Sequence, residues 1–147
     1  MTTINLFTIG FTKKSAEIFF GKIRDAGVQK VIDVRLNNTS QLAGFAKRDD
    51  LAYFLKAICS CNYRHEPLLA PRKENLEAYK KKMIGWTRYA NHFNAVLRAR
   101  KAHKLVSASE LHKACLLCSE PVPDNCHRRL VAEYFRDHFN NISITHL

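Results

Sequence analysis

Hydrophobic and polar residues at the start of the chain follow first a strand-like and then a helix-like period. Apolar and polar side chains alternate over residues 4–9 and stop at Gly10, which predicts a first strand. Ser15 is a suitable N-cap for the helix that follows, and Gly27 ends that helix. Its predicted buried face contains Ile18, Phe19 and Ile23. The β-branched run at residues 30–35 predicts a buried second strand, which completes a right-handed βαβ unit.

The same alternation continues to the end of the chain. Three further strands are predicted at residues 62–65, 114–118 and 142–146. Helices are predicted from Asp49, over residues 73–83 and 86–100, and after a turn at 121–125 in which Asp124 or Asn125 is the N-cap. The helix from Asp49 is predicted to bury Leu51, Phe54, Leu55 and Ile58, and the one over residues 86–100 to bury Tyr89, Phe93, Val96 and Leu97. Strands that alternate with helices predict a Rossmann-like three-layer αβα sandwich around a mostly parallel sheet of about five strands.

The length and composition are typical of one folded domain. A chain of 147 residues, 46% of them hydrophobic, is long enough to bury a core, so we expect a single α/β domain over residues 1–147. The N-terminal residues lack the features of a signal peptide, and no apolar run approaches the roughly 20 residues that span a bilayer. We therefore expect a soluble cytoplasmic protein that does not bind membranes.

The charge balance points to anionic partners. Twenty-four Lys and Arg against thirteen Asp and Glu give a net charge of +11, which attracts nucleic acid or a phosphorylated small molecule. The alternative is a solvated basic surface that only keeps the protein soluble. The oligomeric state is left open by the sequence.

The predicted strands end at residues that carry chemistry. Ligands of parallel sheets bind beyond the carboxyl ends of the strands, where Gly10, Asp33 and Cys118 are expected. Asp33 and Arg35, two residues apart, project to one side of their strand. Either they pair with each other, or Arg35 binds an anion while Asp33 orients it or handles a proton.

A second group of polar residues surrounds the start of the last predicted helix. The helix N-terminus favours an anion, and Arg128 and Arg129 can add bidentate contacts to it. At least one of the two arginines is expected to contact ligand, while the other is a surface charge or a partner for Glu133. His127 either faces the ligand or lies at the helix start without a role.

Glu120 and two cysteines supply the candidate reactive groups. Glu120 is a candidate general acid or base. Cys126, expected within the first helical turn, is either a reactive thiol or inert packing. Cys118, flanked by leucines, is either a core residue or part of the ligand site.

Cysteine spacing and glycine motifs argue against metals and common cofactors. The five cysteines are an odd number. Structural zinc usually has Cys-x-x-Cys pairs, whereas this chain has only Cys59-x-Cys61 and a wide Cys118-x7-Cys126-His127 spacing. No dinucleotide-binding, P-loop or nucleophile-elbow motif occurs. We therefore expect no metal and no cofactor.

The motifs at residues 8–10, 33–35, 118–120 and 126–129 together resemble a known family. Thr-Ile-Gly, Asp-Val-Arg, Cys-Ser-Glu and Cys-His-Arg-Arg occur in the order and spacing of the domain of unknown function 488 family, from Ile4 to Leu147. Many relatives have His-Ser where this chain has Phe11-Thr12. The resemblance implies a compact α/β fold with a pocket built from these motifs, and a role in nucleotide or nucleic-acid metabolism is a common suggestion for the family.

Three functions are compatible with these residues. The first is an enzyme acting on a nucleotide, nucleic acid or other phosphate-bearing substrate, with Arg35, Arg128 and Arg129 on the anion and Glu120 or Asp33 moving protons. The second is a non-catalytic module that binds nucleic acid or a phosphorylated metabolite. The third is a thiol or metal protein that uses Cys118 and Cys126.

Overall fold

A computed structural model describes residues 3–39, 44–120 and 123–147 of the chain. Its strands form one parallel five-stranded sheet in the order β3-β2-β4-β1-β5. The strands are β1 (Ile4–Gly10), β2 (Lys30–Asp33), β3 (Asn62–His65), β4 (Ala114–Cys118) and β5 (Ile142–His146). The predicted α/β class and parallel sheet are confirmed.

Helices cover both faces of this sheet. In the described residues they are α1 (Ala16–Asp25), α2 (Arg48–Cys59), α3 (Lys73–Lys80), α4 (Trp86–Ala99), α5 (Ala108–Leu111) and α6 (His127–His138). Short 3₁₀ turns lie at Gly44–Ala46, Pro67–Leu69 and Ala102–Lys104. Buried residues of α1 and α2 form a core on one face, whereas those of α4 and α6 form a core on the other. The predicted three-layer sandwich is thus confirmed, and no helix of the described part is long and apolar enough to cross a membrane.

The central strand β4 determines which residues reach each core. All five of its side chains are buried because β1 and β2 flank it and helices cover both faces. Side chains of a strand alternate between faces. Leu116 and Cys118 therefore pack in the core with α4 and α6, while Cys115 and Leu117 pack in the core with α1 and α2.

Several predicted details were wrong. On α1, Phe20 is buried and Ile18 is 52% exposed. On α2, Ile58 is 44% exposed. Each helix therefore buries a narrower stripe of side chains than its apolar pattern predicts. The second strand ends at Asp33 rather than at residue 35. Cys126, not Asp124 or Asn125, occupies the N-cap position of α6. Residues 121–122 of the predicted turn lie outside the described residues.

The helix α5 was not predicted. It has only four residues, and a capping box stabilises it, in which Ser107 Oγ accepts from the Glu110 backbone N–H at 3.2 Å and the Glu110 carboxylate accepts from the Ser107 N–H at 3.2 Å. So short a helix shows too little periodicity to be recognised from sequence.

Candidate functional site

The sheet order places the chemically interesting strand ends side by side. Gly10 at the end of β1 pairs in register with Cys118 of β4, and Asp33 of β2 pairs with Leu117. A cavity of about 570 Å³ lies beside this edge and is lined in part by Arg35, Cys118 and Glu120. The volume falls within the range of small-molecule sites. The expected ligand position beyond the strand ends therefore contains a cavity.

Two thiols and an imidazole meet at one end of this cavity. The ligand atoms of Cys118, Cys126 and His127 lie within 4.8 Å of one another, and all three residues are buried. His127 Nε2 donates to the Val34 carbonyl oxygen at 2.7 Å, and Nδ1 lies 3.4 Å from Cys118 Sγ. The end of β4 and the start of α6 thus bring Cys118 close to two residues that lie eight and nine positions further along the chain.

The pKa values of the two thiols are shifted in opposite directions. Burial by itself raises the pKa of the Cys118 thiol, but hydrogen bonds from Cys126 and from the Glu120 and Ser119 backbone, with the Arg128 charge, bring that pKa below its ordinary value. Burial and the neighbouring Cys118 raise the pKa of Cys126 well above its usual range. Of the two, Cys118 is therefore the more acidic thiol, although the sequence favoured Cys126.

Arg128 points into the protein rather than into solvent. It is 0% exposed; its Nε donates to Thr8 Oγ1 at 3.1 Å and its Nη1 to the Glu120 carbonyl oxygen at 2.6 Å. Its Nη2 has no hydrogen-bond partner among the described residues. Arg128 thereby connects α6 to β1 and to the segment after β4, and it is not one of the residues that line the cavity, so the expected contact with a ligand stays a prediction.

Gly10 lies where that segment passes closest to β1. A Cβ at this position would be 1.5 Å from the Glu120 carbonyl oxygen and 2.8 Å from Arg128 Nη1. Only glycine therefore leaves room for the backbone to approach so closely. Gly10 supports the site by its lack of a side chain.

Asp33 and Arg35 form a buried bidentate ion pair. Arg35 Nε and Nη2 donate to the two carboxylate oxygens at 2.8 and 2.7 Å, and Tyr63 Oη donates to Asp33 Oδ2 at 2.5 Å. Arg35 also lies over the Phe11 ring, with its guanidinium carbon 5.4 Å from the ring centroid. Arg35 lines the cavity, and its Nη1 lacks a hydrogen-bond partner within the described ranges. The two alternatives for Arg35, pairing with Asp33 and contact with a ligand, are therefore compatible.

Arg129 lies apart from this group. Its Nη1 donates to the Asp124 carbonyl oxygen at 2.6 Å, its Nε lies 3.4 Å from Glu133, and its guanidinium covers the Trp86 ring at 5.6 Å. It is not one of the residues that line the cavity. The arrangement fits the alternative of a surface charge paired with Glu133.

Comparison with protein families identifies the group to which the chain is related. The family model described as "Domain of unknown function DUF488" matches residues 15–135. The chain belongs to this family. The match contains the Asp33–Arg35 pair and the residues from Cys118 to Arg129, whereas Gly10 and its neighbours lie outside it. Neither the curated proteins nor the solved structures contain a match.

In this DUF488 protein, five cavity residues lie on α3, and none of them was predicted as a site residue. They are Lys73, Leu76, Glu77, Tyr79 and Lys80. The two lysines are seven residues apart, which is about two helical turns, so they lie on one face of α3. This spacing was the available signal, but only the structure shows that α3 borders the cavity.

Proposed function

We propose that the protein is an enzyme acting on a nucleotide-sized, phosphate-bearing substrate in the cavity beside Cys118 and Glu120. The observation that carries the proposal is that one cavity combines cationic side chains, aromatic rings and reactive groups. Each of these has a separate counterpart in such a substrate.

The cationic side chains are suited to phosphate groups. Lys73 and Lys80 of α3 line the cavity and are exposed, and their Cα atoms are about 10.5 Å apart along the helix. Arg35 adds a guanidinium that Asp33 holds in place. Its buried Nη1 has no hydrogen-bond partner among the described residues. A rigid guanidinium favours phosphate through geometry, and the lysines favour it through charge.

The aromatic rings are suited to a planar base. Tyr79 and Tyr89 stack with ring centroids 4.6 Å apart and an interplanar angle of 18°, and both line the cavity. Tyr89 is buried and Tyr79 is half-buried, so the pair presents a fixed aromatic surface to a ligand. Bases stack on such surfaces with little sequence preference.

Glu120 is the proposed general acid or base. Its side chain is exposed and lines the cavity, while its backbone oxygen is held by Arg128 at 2.6 Å. A carboxylate that lines a cavity from a fixed backbone can come within hydrogen-bond reach of a bound substrate, which proton transfer requires.

A thermal-shift screen with nucleosides, nucleotides and phosphorylated metabolites tests the binding step. We expect a nucleotide to raise the Tm of the wild type, because a ligand that binds only the folded state stabilises it. The K73Q/K80Q double variant should lose this shift. The matched control is K22Q/K56Q, which removes the same charge from exposed positions on α1 and α2.

Catalysis is tested with the ligand that the screen identifies. We expect wild type to convert it to a product detectable by mass spectrometry, and E120Q to bind it with an unchanged Tm shift without turnover. Binding with no turnover in either protein would instead support a non-catalytic binding module. No shift with any compound, or equal loss in both lysine double variants, would refute the substrate site.

A further inference from the structure

We propose that Cys118, Cys126 and His127 bind one Zn²⁺ ion, with a fourth coordination position open to the cavity. The inference goes beyond the proposed function and stands on geometry independent of any substrate. It also reverses the expectation from the spacing of the cysteines.

The distances among the three side chains suit tetrahedral zinc. Zn–S bonds of about 2.3 Å and Zn–N bonds of about 2.0–2.1 Å place sulfur and nitrogen roughly 3.5 Å apart, and two sulfurs roughly 3.8 Å apart. Cys118 Sγ and His127 Nδ1 are 3.4 Å apart, and all three ligand atoms lie within 4.8 Å of one another. The three atoms are therefore close enough to share one ion, once side-chain rotations have turned their lone pairs towards it.

His127 already has the tautomer of a metal ligand. A carbonyl oxygen only accepts hydrogen bonds, so the Val34 oxygen at 2.7 Å fixes the proton on Nε2. The lone pair is then on Nδ1, the nearer of the two ring nitrogens to Cys118 Sγ, at 3.4 Å against 3.8 Å for Nε2. Zinc-binding histidines almost always donate their other ring N–H to a carbonyl or carboxylate in this way, which holds the ring and its tautomer. The Phe93 ring packs against the His127 ring at an interplanar angle of 87°, with 5.6 Å between the two ring centroids.

The charges and the donor atoms also favour zinc. Binding of Zn²⁺ releases the two thiol protons to solvent and leaves two thiolates and a neutral imidazole, so the buried site carries no net charge. Soft thiolate and imidazole donors select zinc over magnesium or calcium. Three protein ligands beside an open position are typical of catalytic zinc, and all three line the cavity that also contains Glu120.

The other cysteines provide an internal comparison. Cys61 and Cys115 are buried in the core with α1 and α2, on the opposite face of the sheet, and Cys59 packs against that core. No histidine or carboxylate joins them in a ligand cluster within the described residues. Cys59 is half-buried, so C59S removes a thiol without touching the proposed site.

Metal titration of the full chain tests the proposal. Protein freed of metal by chelation and kept reduced is titrated with Zn²⁺, and bound zinc is counted by elemental mass spectrometry after desalting. We expect one zinc per chain in wild type and C59S, and an affinity weaker by roughly 100-fold or more in C118S and C126S, since loss of an outer contact alone costs 10–100-fold. Co²⁺ in place of zinc should give thiolate-to-metal charge-transfer absorption and the intense visible bands of a four-coordinate ion.

If the serine variants do not melt cooperatively, the cobalt spectrum of the wild type tests the zinc proposal instead. A charge-transfer intensity equal to two thiolates supports the site. Wild type that binds no zinc, wild-type affinity in the C118S/C126S double variant, or equal loss in C59S would overturn it. Because no substrate is present, these results are separate from the nucleotide screen with the lysine variants, and either proposal can fail alone.

Discussion

Replacement of Gly10 by alanine tests whether the close approach of β1 to the segment after β4 supports the site. The new Cβ would lie 1.5 Å from the Glu120 carbonyl oxygen, whereas ordinary contacts begin at 3.4 Å, so the backbone would have to move by about 2 Å. That oxygen accepts from Arg128 Nη1 at 2.6 Å, and the neighbouring Ser119 oxygen accepts from the Thr12 N–H at 3.0 Å. The movement would therefore disrupt contacts that hold this segment.

The magnitude follows from these contacts. Overpacking of a well-packed region costs about 1–3 kcal/mol, and loss of a hydrogen bond to a charged group costs about 1.5–3 kcal/mol. Together they predict a loss of roughly 3–6 kcal/mol in the free energy of unfolding. For a domain of this size the Tm should fall by roughly 10–20 °C.

Urea denaturation followed by circular dichroism measures this loss, with G21A as the control. Gly21 lies within α1, and the nearest atom to a Cβ there, on the side chain of Arg24, is 4.0 Å away. Alanine is favoured over glycine inside a helix by about 0.5–1 kcal/mol, so G21A should be slightly more stable than wild type. A G10A variant within about 1 kcal/mol of wild type, well below the combined loss of roughly 3–6 kcal/mol, would refute the close-approach argument.

Three further predictions concern ion pairs and caps. D33N should cost about 3–5 kcal/mol because it leaves the buried Arg35 unpaired, and D33N/R35M should regain part of this in urea denaturation. S107A should cost about 1 kcal/mol through loss of the N-cap of α5, measured against wild type by urea denaturation. The Ser107 hydrogen bonds lower the pKa of Glu110 below 4.5, so its stabilisation is present above that pH and is lost as the pH falls through the lowered pKa. E110Q should therefore reduce the Tm at neutral pH and have a smaller effect in acid, once the pH has fallen through the lowered pKa of Glu110; an equal difference at both pH values would contradict this.

The strands were predictable because their signals are local. Residues 62–65, 114–118 and 142–146 are strands with the predicted bounds, and Ser15 is the N-cap of α1 as expected. Alternation, β-branched runs and capping residues act within a few positions of the chain, so they can be read from the sequence before any tertiary contact is known.

The ends of the strands were also predictable as a site region. In parallel sheets the carboxyl ends share one edge, and the cavity lies beside Cys118 at that edge. The motifs that carry the family resemblance lie at the same edge, with the Asp33–Arg35 pair and Cys118 to Arg129 inside the family match. To this extent the order of elements along the chain determined the location of the candidate site.

The roles of individual side chains were decided by tertiary structure. Arg128 and Arg129 are neighbours in sequence, yet successive residues of α6 point in different directions, so one is buried against Thr8 and the other covers Trp86. Lys73 and Lys80 line the cavity only because α3 packs beside it. His127 and Cys118 meet because the end of β4 lies against the start of α6. Such contacts join residues that are distant along the chain, and they depend on the packing of whole elements, which local sequence patterns do not contain.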